Sequence, residues 1–201
     1  MVLERILLAS ASPRRLELLQ SLAFAVRVEP SRYDEPDDPA ATPHELAIRH
    51  AAAKARDVRT RFPEEVIVAA DTVVDVDGKA LGKPRDAAQA HQMLRTLSGR
   101  EHHVHTAYAI AVPGRAELFE DAATTVVRFY PLGDDEIAAY VASGEPMDKA
   151  GAYGIQGRAA ALVASIDGDF YTVMGFPLAR FVRALRRLGF ALPASNKTPN
   201  E

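Results

Sequence analysis

The chain has 201 residues, 48% of them hydrophobic, and 24 Lys and Arg against 27 Asp and Glu give it a formal net charge of −3. That length supports one domain, or two small lobes sharing a core, and the charge balance supplies no bulk positive field for nucleic acid. The lack of cysteine excludes disulfides and thiol catalysis and fits a reducing compartment. No apolar run approaches the roughly 20 residues of a membrane span, and the short run at Met1–Leu8 has no cleavage pattern behind it. A cytoplasmic protein with no membrane partner is expected.

The first apolar run, Leu7-Leu8, predicts a strand that passes through the small residues Ala9, Ser10 and Ala11 into a helix. Ser12 is placed to cap that helix with its hydroxyl, and Pro13 suits its first turn. Phe24–Val28 reads as a second strand, and residues 30–43, rich in Pro and Asp, read as a loop. Thr42-Pro43-His44-Glu45 is a capping box that opens a helix to about Arg61, supported by Glu45 and Arg49 at i,i+4. Val66–Ala70 is an apolar strand ended by Asp71, and Asp77-Gly78 is a hairpin turn signal. Asp86-x-x-Gln89 opens a helix to Leu97, closed by Ser98-Gly99. Residues 102–112 and 117–130 read as long strands around Pro113-Gly114, and 134–142 as a helix closed by Gly144. Ala161–Ile166 and Asp169–Met174 are predicted as strands flanking an Asp167-Gly168 turn. A last helix follows Pro177, with Leu178, Phe181, Val182, Leu185 and Leu188 on one face and Gly189 as its stop. Residues 1–189 are expected to form a single domain, with 190–201 a polar, frayed tail. The mixed order of elements implies an α/β fold, a mixed twisted β-sheet with flanking helices.

Six places stand out chemically. Arg14 and Arg15 sit at the start of a helix, where the dipole disfavours cations. They are either two solvated surface arginines or one side of an anion site, since backbone N–H groups and Arg forks both suit phosphate oxygens. Asp71 closes an apolar strand, where an acid can bind a divalent cation, activate water or simply cap a turn. Lys54, in "HAAAKAR", faces solvent by default. Lys83, in "LGKPRDA", lies on a loop that can swing toward an anion. Between Lys149 and Gly157, three glycines at every third position are too dense for a helix and permit close backbone approach to a ligand. Gln156 there can donate and accept at one base edge; the plainer reading is a flexible surface loop. His102, His103 and His105 lack a third ligand nearby in sequence and read as a solvated strand face.

Taken together these pieces resemble the Maf family of nucleoside triphosphate pyrophosphatases. The resemblance rests on Leu8-Ala9-Ser10-x-Ser12-Pro13-Arg14-Arg15, Ala70-Asp71-Thr72-Val73-Val74, Lys83-Pro84, and Ser98-Gly99-x-x-His102-x-Val104-x-Thr106. It continues in Asp148-Lys149-Ala150-Gly151-Ala152-Tyr153-Gly154-Ile155-Gln156-Gly157 and Val173-x-Gly175-x-Pro177-Leu178. It spans about residues 3–188. It implies an ITPase-like fold, two lobes around a cleft, and hydrolysis of a nucleoside triphosphate to monophosphate and pyrophosphate with a divalent cation, Mg²⁺ or Mn²⁺. The "DKAGAYGIQG" form resembles the branch acting on dTTP and UTP. Ala11, where many members have Gly, is a small departure.

From the resemblance follow the expected roles. Asp71 would orient the attacking water and touch the metal, with Glu35 a second ligand. Ser10, Arg15, Lys54 and Lys83 would hold phosphates. Arg14, Thr72 and Gln156 would select the base, and a homodimer is implied. Two other readings stand beside this one. A nucleotide-binding regulator of division is suggested by the family's link to septum formation. Nucleic-acid binding through the helix bearing Arg183–Arg187 is the other, although those arginines read more simply as a solvated face.

Overall fold

A computed structural model describes residues 1–36 and 38–194. In chain order it contains β1 (Arg5–Leu8), α1 (Pro13–Ser21), β2 (Ala25–Val28), α2 (Pro43–Arg61), β3 (Ile67–Val76), β4 (Lys79–Leu81), α3 (Ala87–Leu97), β5 (Glu101–Ala111) and β6 (Phe119–Phe129). Then follow α4 (Asp134–Ala142), three 3₁₀ turns (Glu145–Asp148, Ala150–Ala152, Gly157–Ala161), β7 (Val163–Asp167), α5 (Phe170–Met174) and α6 (Leu178–Arg187). The sheet runs β2-β1-β3-β5-β6-β7, with β4 also bonded to β3. β1 lies parallel to β2 and β3, because helices α1 and α2 carry the chain back between them. From β3 onward the main path is antiparallel, as tight turns such as Pro113-Gly114 allow. The expected class, α/β with a mixed sheet and flanking helices, is the one observed.

Side-chain alternation sorts β3 between two faces. Ile67, Ala69 and Val73 pack under α2, against Ala47, Ala51, Ala55 and Val58. The alanines of "HAAAKAR" let that helix lie close to the strands. On the other face, Val68 and Ala70 meet α1 and α6 through Leu18, Leu19 and Phe181, joined by Phe176 from the turn before α6. Farther along that same face, Val74 and Val76 pack with α3 and α4 through Leu94, Leu97 and Ile137. These two apolar groups are the cores of two lobes. A cleft opens between them, and Val163, Ile166 and Val173 pack against both.

Three expectations need correction. Asp71 does not end its strand: β3 continues to Val76, and Asp71 is its fifth residue. Asp169–Met174 is a helical turn. The Asp169 carboxylate accepts from the Thr172 amide (2.7 Å) and hydroxyl (2.8 Å), and this local cap outweighs a six-residue alternation. The tail begins later than residue 190, since Phe190 is buried and Ala191 bridges Val2 beside β1; residues 195–201 lie outside the described residues. Among the described residues no helix is long and apolar enough to cross a membrane.

His102, read as part of a solvated strand face, is buried between Phe129 and Tyr153. Its Nε2 bonds the Tyr153 hydroxyl at 2.7 Å, and its Nδ1 has no partner among the described residues. Burial, helped by His103, pulls its pKa from 6.5 down to about 4. The unfolded chain therefore binds the extra proton between these values. Stability is complete above pH 6.5 and falls as the pH drops toward 4, by on the order of 3 kcal/mol from this group. Burial lowers His105 as well, so His102→Phe should shrink the loss between pH 7.5 and pH 4.5 without abolishing it. Urea titrations at the two pH values measure this; an unchanged difference would assign the loss to other groups.

Candidate active site

The site lies at an interruption in sheet pairing. β1 follows β3 only as far as Leu8 beside Val68. β4 begins to cover the same edge only at Val74 beside Leu81. Between these points the β3 edge that faces away from β5 has no strand beside it, although β5 pairs along the whole stretch on the other side. Here β1 gives way to Ala9-Ser10-Ala11 and the start of α1, and a cleft of about 870 Å³ opens. Asp71 is thus beyond the carboxyl end of β1 while held rigidly inside β3. Alternation points Asp71 toward α2 and Thr72 toward the opposite face, so the cleft wraps around a strand edge.

Arg15 fills the interruption. Its Nη1 donates to the Ala70 carbonyl (2.9 Å) and to Ser10 Oγ (3.2 Å), its Nε to the Gly175 carbonyl (2.9 Å), and its Nη2 to Thr72 Oγ1 (3.1 Å). Burial pushes the guanidinium below its ordinary pKa, an effect that Asp71 and Glu35 oppose and Arg14 reinforces. A cation at this helix start therefore has carbonyl acceptors in place, before any bound anion. Gly175 (φ +106°) turns its carbonyl toward Arg15, and a Cβ there would meet Thr72 Oγ1 at 3.3 Å. Ser12 sits at the N-cap by position alone. Its side chain makes no cap bond, and its amide donates to Ser10 Oγ at 3.2 Å.

The hydroxyls on either side of Arg15 are of opposite sense. Ser10 Oγ accepts from Ser12 N–H and from Arg15, and its own proton goes to no described residue. Thr72 Oγ1 accepts from Arg15 and lies 2.9 Å from Thr106 Oγ1, which donates to the Thr172 carbonyl at 2.7 Å.

On the α2 face, Lys54 is buried rather than solvent-facing. Its Nζ lies 2.7 Å from Asp71 Oδ1 and 2.6 Å from Glu35 Oε1. Asp71 is buried while Glu35 is exposed, so the lysine ties a rigid carboxylate to one on the loop after β2. Tyr33 and His50, joined by a 3.2 Å bond, continue this wall.

The opposite lobe supplies the facing wall. Lys83 is exposed on the loop before α3 and has no ion-pair partner among the described residues. The glycine-rich stretch is an ordered wall, with Gly151, Ala152, Tyr153 and Ile155 buried. Gly151 (φ +67°) lies so close to Val74 that a Cβ would meet it at 3.0 Å. Ala152 also has positive φ, +59°, a conformation that costs an L-residue roughly 1–3 kcal/mol. Gln156 is exposed on the wall of the cleft. Arg14 reaches across from α1 to Asp148 at 3.3 Å, an exposed pair that a ligand can displace cheaply. Burial pushes the Asp148 carboxyl up, but Lys149 and Arg14 hold it below its ordinary range.

All eight residues singled out at the site, together with Glu35, therefore line one cleft. Thr106 was legible only as part of a motif, and nothing in the sequence marked Thr172. The histidine triplet divides: His102 is buried, His103 is exposed, and His105 is buried with Asp75 (3.3 Å) and Thr124 (2.9 Å). Among the described residues no three His, Asp or Glu side chains are grouped to hold a metal.

The profile of the Maf-like protein family matches residues 5–188. A dTTP/UTP pyrophosphatase of Symbiobacterium thermophilum is 50% identical over 190 residues, covering 94% of this chain and 97% of its own. One from Bacillus velezensis is 49% identical over 183 residues, covering 91% and 96%. In structure the chain is similar to the Staphylococcus aureus Ham1 protein, with a TM-score of 0.50 at 15% identity over 92% of this chain and 99% of that one. That last likeness concerns the fold alone. The sequence match runs from β1 to the end of α6 and includes every motif that lines the cleft, and the chain belongs to the Maf family.

Proposed function

We propose that this chain hydrolyses dTTP and UTP to the monophosphate and pyrophosphate. The observation that carries the reading is the composition of one cleft. A buried, lysine-paired carboxylate lies beside an arginine-braced helix start, across from Lys83 and an amide able to read a base edge. Water attacks the α-phosphorus, a bond forms from its oxygen to phosphorus, and the bond to the bridging oxygen breaks to release pyrophosphate. Asp71 orients that water and takes its proton. Lys54 fixes the carboxylate and balances its charge. Ser10 offers its free proton to a phosphate oxygen, and Arg15 and Lys83 offset the charge of the triphosphate.

Two carboxylates on one cleft wall suit a divalent cation that takes one or two protein oxygens and completes its shell with phosphate oxygens and water. Asp71 and Glu35 would hold Mg²⁺ or Mn²⁺, and when bound the ion neutralises phosphate charge. Assay of pyrophosphate from dTTP and UTP with each ion tests the reading. Tight binding without pyrophosphate would favour the regulatory alternative.

Arg15→Ala and Lys83→Ala should raise KM and lower kcat for every nucleotide alike, because phosphates are common to all. A change confined to the preference among bases would remove either residue from the phosphate site. Gln156→Ala should act on the base. Uracil and thymine lose a partner, at about 1–3 kcal/mol, while purine triphosphates lose less, so activity drops and selectivity flattens in a four-nucleotide panel. Equal proportional losses across the panel would mean that Gln156 only shapes the loop.

A further inference from the structure

We propose that Thr106, buried and out of reach of substrate, fixes the hydrogen-bond polarity of Thr72 and thereby discriminates uracil and thymine from cytosine. The inference rests on the pyrimidine triphosphatase reading above and goes beyond it to a positioning residue.

A threonine hydroxyl has one proton and two lone pairs. A carbonyl oxygen only accepts, so the 2.7 Å bond between Thr106 Oγ1 and the Thr172 carbonyl consumes the Thr106 proton. The 2.9 Å contact between Thr72 and Thr106 then has one possible sense: Thr72 donates and Thr106 accepts. Arginine only donates, so Arg15 Nη2 occupies one lone pair of Thr72 Oγ1. What Thr72 presents to the cleft is its second lone pair. The chain of bonds runs Arg15 to Thr72 to Thr106 to the Thr172 carbonyl, and every proton in it is assigned.

An acceptor of fixed sense repels phosphate oxygens and attracts an N–H. Ser10, on the other side of Arg15, has the opposite sense, with its oxygen taken by two donors and its proton free. The two hydroxyls thus orient a triphosphate: phosphates toward Ser10, base toward Thr72. On the edge of uracil or thymine the sole N–H is at N3. In cytosine N3 is an acceptor, and its lone pair would face that of Thr72.

Gln156 cannot supply this distinction by itself. Its amide exchanges donor and acceptor by turning over, and so fits either pyrimidine. Thr72 would have the same freedom were its proton not committed. Thr106 removes that freedom, and α5 holds Thr106's own acceptor in place, because Asp169 caps the turn through the Thr172 amide and hydroxyl. A carbonyl that anchors the chain also accepts from Gly175 N–H, so loss of the Thr106 hydroxyl leaves it satisfied.

The experiment compares kcat/KM for UTP and CTP in the wild type, Thr106→Val and Thr106→Ser. Valine keeps the volume and removes both bonds, freeing Thr72 to donate toward cytosine N3. The UTP/CTP ratio should fall by at least about tenfold. Serine keeps the hydroxyl and should restore the ratio. Thr106→Ala, which removes the same hydroxyl with less bulk, takes the place of valine if that variant does not fold. In the double variant Thr72→Val/Thr106→Val the ratio should equal that of Thr72→Val, since Thr106 acts only through Thr72. Equal losses for UTP and CTP in the valine or alanine variant, failure of serine to restore the ratio, or an independent effect in the double variant would each overturn the proposal while leaving the activity itself standing. A wild type that releases no pyrophosphate from UTP, or does not prefer it to CTP, overturns the substrate reading and this inference together.

Discussion

Asp71→Asn should lower turnover of dTTP and UTP by at least ~10²-fold, the scale of losing a positioned general base. Asparagine keeps the shape of the side chain and an oxygen for Lys54 Nζ, and Glu35 at 2.6 Å still pairs the lysine's charge, so the melting temperature should stay near that of the wild type. Nucleotide binding, measured by calorimetry with a non-hydrolysable triphosphate, should also persist, because the phosphate-facing groups are untouched. The loss should appear in kcat. Pyrophosphate release near the wild-type rate would remove Asp71 from the chemistry and leave it as a partner of Lys54 only.

Lys54→Met should have the largest effect on stability. Methionine replaces the aliphatic length but strands Asp71, whose side chain is 8% exposed, without its counter-charge. Breaking a buried pair from one side costs about 3–5 kcal/mol. Glu35, with its side chain 51% exposed, returns to water at little cost. For a chain of this size the expected fall in Tm is on the order of 10 °C. Adding Asp71→Asn removes the stranded charge, so Lys54→Met/Asp71→Asn should recover at least half of that fall. Additive losses in the double variant would show that Lys54 stabilises through its packing between α2 and the sheet, with the ion pair contributing little.

Local signals were legible where the partners are close in sequence. Thr42 and Glu45 exchange the two bonds of a capping box, and Asp86 accepts from the Gln89 amide at 2.7 Å, as their spacing implies. Asp71 was misplaced at a strand end because an acid inside a buried strand needs a lysine, and that lysine comes from another element, α2. The two arginines looked anomalous against the α1 dipole for the same reason. The carbonyls that receive Arg15 belong to Ala70 and Gly175, in distant parts of the chain. His105 reads as solvated until Asp75 and Thr124 are brought beside it. The identities of the cleft residues were visible because charge, glycine spacing and motif order are properties of the chain. Their connections were not, since every bond that ties Thr72 to Thr106 and Thr172 crosses between elements.

The uncovered length of β3 also bears on solubility. A strand edge with unpaired amides and carbonyls is a template for the edge of another chain. This protein keeps such an edge open in the middle of its sheet, between Val68 and Val74 of β3. Arg15 bars it: the guanidinium occupies the Ala70 carbonyl, and its charge disfavours an incoming apolar strand. A residue proposed to meet the phosphates would thereby also guard against cross-strand aggregation. Loss of that guard in Arg15→Ala would show as concentration-dependent self-association, separable from its kinetic defect by light scattering and relieved when nucleotide fills the opening.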